Sequence, residues 1–332
     1  MELKKILNDS KKAAEEAMEG MVLAQPQVLR RISDRRIVVR VSSPVKGKVG
    51  LICGGGSGHE PAHVGYVGKG MLDAAVMGDV FTSPAPGDIV TAIKAVNGDA
   101  GVLLIIWNYG GDVMNFTSSE EAARDSGIVV DHVIVNDDVA INDLKKRRGV
   151  GGTIFVQKIA GAKAEHMENL EAVKRTAEKV ITNVRSMGIA LTPCIVPAVG
   201  KPTFTIGEDE IELGIGIHGE PGVQRSNMMK SSGIADYLTR NIASDAKLSG
   251  GDQVAVMVQG MGGTSNMEKF IFYKDVYAQL TALGVKVRNS FIGEYTPSME
   301  MTGLQLTVLR LDEELTKLLE EPTEAPGWHV WS

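Results

Sequence analysis

The sequence predicts an α/β fold. Short runs rich in Val, Ile and Leu alternate with segments of helical period along the chain. Glycine-containing loops lie at the ends of three of the apolar runs, and one of them sets Asp112 where open α/β sheets place their ligands. The 332 residues suffice for one large domain or two ordinary ones, each with its own core.

In chain order, the apolar runs predict strands over residues 48–54, 101–107, 128–135, 153–157, 211–217, 253–259, 285–292 and 304–311. The clearest helix is expected over 158–186. Leu170, Val173, Ala177, Val180, Ile181 and Val184 recur there at helical spacing, while Glu171, Lys174, Arg175 and Glu178 face elsewhere. Met187-Gly188 reads as its stop signal. The turn-rich run from Thr192 to Pro202 makes a domain junction. No internal repeat or low-complexity tract interrupts the pattern.

Composition narrows the function. Apolar residues make up 43% and charged residues 23%, within the globular range. A net charge of -6 argues against a protein that grips a nucleic-acid backbone, which needs excess Lys and Arg. No apolar run reaches the length of a membrane span, and the amphipathic, acidic start is unlike a signal peptide. Cys53 and Cys194 lie in apolar stretches and read as free, buried thiols, so a cytoplasmic location is expected.

Three loops carry the chemistry. The first is Gly54-Gly55-Gly56-Ser57-Gly58-His59-Glu60-Pro61-Ala62-His63. A dinucleotide fingerprint and a nucleophile elbow both need glycine where His59 stands. His59 to His63 matches the zinc motif HExxH literally, but Pro61 cannot sit inside the helix that would bring both imidazoles to one face, so no metal is expected. Two readings remain for these residues: a backbone that lets a ligand approach closely beside a proton-transferring His59, or a tight strand-to-helix turn. The second loop is Trp107-Asn108-Tyr109-Gly110-Gly111-Asp112, whose carboxylate could accept a hydroxyl proton or stabilise its own turn. The third is Gly214-Ile215-Gly216-Ile217-His218-Gly219-Glu220-Pro221-Gly222. There His218 would close a strand, and Glu220 could orient one of its ring nitrogens. No Gly-x-x-x-x-Gly-Lys-Ser/Thr occurs, so a P-loop nucleotide site has no support.

These loops, in this order, resemble the substrate-binding subunit of dihydroxyacetone kinases, especially the bacterial phosphotransferase-dependent type. The likeness extends through Phe81-Thr82-Ser83-Pro84, Asp137-Asp138-Val139-Ala140, Arg147-Arg148-Gly149-Val150, residues 196–202 and residues 260–263, nearly the whole chain. It implies two α/β domains with mixed sheets, here 1–187 with the glycine-rich ligand loops and 188–332 with the anchoring histidine. It also implies a homodimer. The ketone would be held as a hemiaminal on the histidine matching His218. His59 would hydrogen-bond the ligand and move protons, Asp112 would bind and activate a terminal hydroxyl, and Gly56 and Ser83 would add contacts. No cofactor is implied. Single-chain ATP-dependent members carry an additional all-helical domain that this sequence lacks, so any nucleotide is expected on another subunit.

The covalent bond makes chemical sense. An imidazole nitrogen adds to an unhindered ketone and cannot react with glycerol, which gives a selectivity that hydrogen bonds to similar hydroxyls would not. Neutral imidazole is required, so acid should weaken capture.

Four departures from the family pattern stand out. Trp107 occupies the place of a lysine that reaches the ligand, and an indole cannot supply that charge. Leu144-Lys145-Lys146 replaces a Ser-Leu-Tyr-Thr-x-Gly segment and is three residues shorter. Glu294-Tyr295-Thr296-Pro297-Ser298-Met299-Glu300-Met301 replaces Asn-Tyr-x-Thr-Ser-x-Asp-Met, and Gly110 stands where a bulkier residue is usual. The ligand trio is kept while a lysine and a surface loop are changed. This points to a coactivator that binds the ketone and reports it to a transcription regulator of a dihydroxyacetone kinase operon. The alternative is the substrate-binding kinase subunit, with a separate nucleotide-bearing subunit as partner.

Overall fold

A computed structural model describes residues 4–328. Its framework is two six-stranded sheets, both mixed, as the α/β class expected from the alternation requires.

The first sheet comprises β1 (Leu29–Arg31), β2 (Ile37–Arg40), β3 (Gly50–Ser57), β4 (Ala74–Val80), β5 (Val102–Trp107) and β6 (Val130–Val135), in the order β1-β2-β4-β3-β5-β6. Strands β4, β3, β5 and β6 run parallel, while β2 is antiparallel to β4. The chain leaves β3 towards β4 on one side and returns to β5 on the other. This places a topological switch point at the carboxyl ends of β3 and β5.

The second sheet has the order β11-β10-β12-β7-β8-β9. Its strands are β7 (Val184–Thr192), β8 (Glu210–Leu213), β9 (Gln224–Asn227), β10 (Gln253–Gly260), β11 (Lys286–Gly293) and β12 (Thr302–Leu311). Only β10 and β11 pair in parallel.

Alternating side chains distribute the core on both faces of each sheet. Ile37, Val39, Ile52 and Leu104 pack against α2 (Pro86–Val96) and α3 (Gly110–Asp125), while Val38, Leu51, Cys53 and Leu103 face the opposite way. That inner layer holds α4 (Gly152–Glu165) and α5 (Leu170–Asn183) and reaches Met257 and Leu309 of the second sheet. Beyond it, Val254, Val256 and Val258 pack against α6 (Ser231–Ala246) and α7 (Asn266–Ala282). α1 (Ala13–Ala24) and α8 (Glu313–Glu320) complete the helices named here.

The structure corrects the middle of the chain. Residues 153–157, expected as a strand, are the first turns of α4. That helix is buried almost all round, so the apolar run has no amphipathic period to distinguish it from a strand. The long helix expected over 158–186 is two helices. They are broken at Met167, which has φ 60, and α5 restarts where the Asn169 side chain accepts from the Ala172 amide. Met187-Gly188 is no stop signal: both residues lie inside β7, paired with Leu306 and Gln305. The expected boundary at 187–188 therefore falls within a strand, and the run 192–202 joins β7 to β8 of one sheet.

Candidate functional site

The site is assembled at the switch point. β3 runs into Ser57, and the next turn projects His59. The glycines permit close approach. A Cβ on Gly56 would lie 2.6 Å from Phe81 Cα, and one on Gly55 would lie 2.7 Å from His63 Nε2. The segment His59–His63 is a turn followed by a single 3-10 turn, Val64–Tyr66, rather than the helix expected to follow the glycines. The HExxH spacing thus never lies on a helix face. Asp112 sits in the first turn of α3, directly after β5. His218 comes from the other sheet. It does not close a strand, since β8 ends at Leu213, but lies in the following turn.

Gly56, His59, His63, Trp107, Tyr109, Asp112, Ile217 and His218 line one small cavity, about 210 Å³ of empty space including its open mouth. Four of the five site residues expected from sequence are among them. The fifth, Ser83, lies behind Asp112: a Cβ on Gly111 would meet its Oγ at 2.6 Å. The imidazole of His218 is packed edge-on against the rings of His59, Phe81 and Tyr109, with centroids 4.9, 5.1 and 4.8 Å away.

Hydrogen bonds fix the proton positions. His59 Nδ1 lies 2.7 Å from the carbonyl oxygen of Pro297, which can only accept, so Nδ1 carries the proton. Its Nε2 is buried without a partner. Burial, reinforced by His218, holds His59 well below the ordinary imidazole pKa and keeps it neutral. His218 Nδ1 lies 2.8 Å from Glu220 Oε1, and its backbone amide donates to Glu220 Oε2 at 3.0 Å. With Nδ1 protonated towards the carboxylate, the Nε2 lone pair is free. Burial pushes Glu220 up, but the contacts with His218 and the backbone amides outweigh it and bring the carboxyl down to about 2.

Asp112 is pushed up to about 6 by burial, against the opposing effects of the Ser83 hydroxyl and His218. Its Oδ1 is buried with no hydrogen-bond partner. A carboxylate so placed is a proton acceptor near neutrality.

Behind this set, Trp107 is 3% exposed; its indole N–H donates to Cys53 Sγ at 3.1 Å, and it meets His63 edge-on at 5.3 Å. Burial drives Cys53 to about 12, so its thiol is inert. His63, pushed to about 3 by burial and then by His218, stays neutral. One of the paired arginines, Arg148, ties the start of the His218 loop to Asp138. Arg148 Nε donates to Asp138 Oδ2 and its Nη2 to the carbonyl of Gly214, each at 2.7 Å. Asp137 accepts from the amides of Val150 and Gly152 at 2.8 and 2.7 Å.

Sequence reasoning missed Pro297 and Phe81. Pro297 stands in a stretch noted for its departure from the family pattern, but it is 238 residues from His59 and nothing in the sequence marks the two as partners. Phe81 stands in a recognised motif, but its stacking on His59 at 4.9 Å is purely tertiary.

A sheet switch point carrying two imidazoles and a carboxylate around a small cavity defines a small-molecule-binding α/β protein. The chain belongs to the Dak1 domain family, whose pattern it matches over residues 19–327, as the motifs indicated. It is 49% identical to the dihydroxyacetone-binding subunit DhaK of the PTS-dependent dihydroxyacetone kinase 1 of Listeria innocua, covering 98% of this chain and 100% of that one. It is 43% identical to the corresponding subunit of Lactococcus lactis, over 98% of each chain. Among solved structures it resembles the dihydroxyacetone kinase operon co-activator Dha-DhaQ, with a TM-score of 0.90 and 36% identity, covering 95% of this chain and 98% of that one. Among the described residues no helix is long and apolar enough to cross a membrane.

Proposed function

We propose that this chain captures dihydroxyacetone as a hemiaminal on His218 and presents it for phosphoryl transfer, as the substrate-binding subunit of a phosphotransferase-dependent kinase. The observation that carries this reading is the convergence of His59, Asp112 and His218, from two sheets, on one cavity. The Nε2 lone pair of His218 adds to the carbonyl carbon, and the carbonyl π pair moves to oxygen. The Nδ1 proton is released past Glu220 to solvent and water at the open mouth of the cavity protonates the new alkoxide, so one proton leaves, one is taken up and the adduct is neutral. His59 offers a bare Nε2 to a ligand hydroxyl. Asp112 takes the proton of a terminal hydroxyl as it attacks phosphorus, while Ser83 steadies the carboxylate. Gly56 lines the cavity, and its lack of a Cβ lets the backbone of Phe81 pack against the strand there. The phosphoryl donor sits on a separate nucleotide-bearing subunit. The first sheet then supplies the acid–base groups and the second the anchor, a division into two domains in a cytoplasmic homodimer.

The unspent Asp112 Oδ1 and the identity of 49% to a kinase subunit, against 36% to the coactivator, favour the kinase reading. The coactivator reading, in which the ketone is reported to a transcription regulator, draws on Trp107 in the cavity wall and the shortened stretch ending at Lys146. Leu144, 58% exposed, lies on that stretch. One experiment separates them. The purified chain is mixed with dihydroxyacetone and the nucleotide-bearing subunit of such a kinase, and adduct mass and phosphate transfer are both followed. Turnover sinks the coactivator reading, adduct without turnover sinks the kinase reading, and no adduct sinks capture.

A further inference from the structure

The segment from Tyr295 to Met299 lies between β11 and β12 and touches both histidine-bearing loops. The carbonyl of Pro297 accepts the Nδ1 proton of His59 at 2.7 Å. One residue further, the Ser298 hydroxyl donates to the carbonyl of Ile217, the residue before His218. The amide of Met299 then donates to the carbonyl of Gly58, the residue before His59, at 3.0 Å. Three consecutive residues of the second half of the chain thus hold the backbone or ring of both histidines.

The strap is itself fixed. Gln259, fully buried on β10, grips Thr296 from both sides: its Oε1 accepts from the Thr296 amide and its Nε2 donates to Thr296 Oγ1, each at 2.8 Å. The same Nε2 donates to Gln305 Oε1 at 2.7 Å, and Gln305 Oε1 also accepts from the Gly151 amide at 2.8 Å. The Ser298 amide donates to the carbonyl of Met261 at 2.8 Å, and the Tyr66 hydroxyl donates to the carbonyl of Tyr295 at 2.7 Å. Thr296 and Ser298 are fully buried. Water cannot replace these bonds, and a lost one leaves an unpaired polar group.

We infer that residues 296–299 form a positioning strap that sets His59 and His218 at working distance from each other, with Ser298 and Thr296 as positioning residues that never touch the ligand. The two histidines come from different sheets, so their mutual geometry depends on an element bonded to both. Because Pro297 fixes the His59 tautomer, the strap also decides which nitrogen of His59 faces the cavity.

This rests on the capture reading for its functional effect, but not for its structural one, and the experiment keeps the two apart. In ligand-free protein labelled with ¹⁵N-histidine, the nitrogen shifts of His59 should report a protonated Nδ1 and a bare Nε2. Thr296→Val, which keeps the amide but loses the hydroxyl, should mix the two tautomers, and Thr296→Ser should restore the pure state. Native mass titration with dihydroxyacetone then measures the adduct. Ser298→Ala and Thr296→Val should each raise the half-saturating ketone concentration about tenfold or more, with Thr296→Ser within about threefold of the parent, as expected when reacting groups are misplaced by a fraction of an ångström. A His59 that carries its proton on Nε2 overturns the strap, whether or not a variant folds. So does unchanged capture in folded Ser298→Ala and Thr296→Val. Failure of the parent chain to form any adduct instead refutes capture and leaves the tautomer test standing.

Discussion

Glu220 holds His218 at two points, through the ring Nδ1 at 2.8 Å and the backbone amide at 3.0 Å. The first contact selects the tautomer and the second fixes the loop beneath the ring. Glu220→Gln keeps the shape but can turn its amide donor towards Nδ1, which would move the imidazole proton to Nε2 and block addition. Adduct yield at a fixed ketone concentration should fall about 10- to 100-fold, the range seen when a partner that orients a histidine is lost. Native mass spectrometry reads this directly, and undiminished capture would count against Glu220 as the orienting group.

In the proposed mechanism, Asp112 separates capture from chemistry. Asp112→Asn should leave the adduct within a few-fold of normal while phosphate transfer drops about 10²- to 10⁴-fold, the usual cost of losing a general base. In the parent chain the carboxyl, raised to about 6 by burial, must be ionised to accept a proton. Transfer should therefore fall as pH drops through 6. The stability effect has the opposite sense. The folded state binds this proton more tightly than the unfolded chain, so ionising Asp112 costs stability as pH climbs from 3.8 towards 6 and no further above that. Asp112→Asn should gain on the parent by on the order of 2–3 kcal/mol between pH 4 and pH 7, measured by chemical denaturation.

The sequence made β3, β5 and β6 and the loops after β3 and β5 legible because both obey local rules, whereas β4, the fourth parallel strand, went unmarked. Apolar runs followed by glycines marked β3 and β5, and His59 and Asp112 lie just past their ends. The same rules failed where tertiary packing overrode them. Helix α4 carries apolar residues on nearly every face because it is buried between the sheets, and a periodicity test has nothing to detect there. Val184 looked like the last turn of a helix, yet it begins β7 because Leu309 of β12 pairs with it. The clasp of Arg148 between Asp138 and Gly214 was visible only as a doublet of acids and a doublet of arginines. Spacing alone could not show that they meet, nor that Pro297 would reach His59.

Trp107 tests the cavity wall. Its indole fills the space between Cys53 and His63 and is almost completely buried. Trp107→Ala should destabilise the chain by about 3–5 kcal/mol, as large-to-small changes at buried aromatics do. Trp107→Phe should cost less, because it loses the bond to the Cys53 thiol and part of the ring while keeping the wall closed. Thermal denaturation of both variants checks the order, and a Phe variant less stable than the Ala variant would show that the indole is strained rather than supported.

Arg148 offers the sharpest separation of stability from site geometry. It is 7% exposed in its side chain and its partner Asp138 only 2%, so the pair is desolvated. Arg148→Met leaves the Asp138 carboxylate buried without its cation, which should cost about 3–5 kcal/mol, more at neutral pH than in acid. The sign follows from Asp138 itself. Burial already raises it to about 6 despite the opposing charge of Arg148, and removing that charge raises it further, so ionisation becomes more costly. Adding Asp138→Asn removes the stranded charge and should return most of the lost stability. It cannot return the bond from Arg148 to the carbonyl of Gly214, which lies four residues before His218. The double variant should therefore be stable in chemical denaturation yet still poor at capture. If its adduct yield recovers along with its stability, Arg148 serves only to neutralise Asp138 and the loop carrying His218 is held by other contacts.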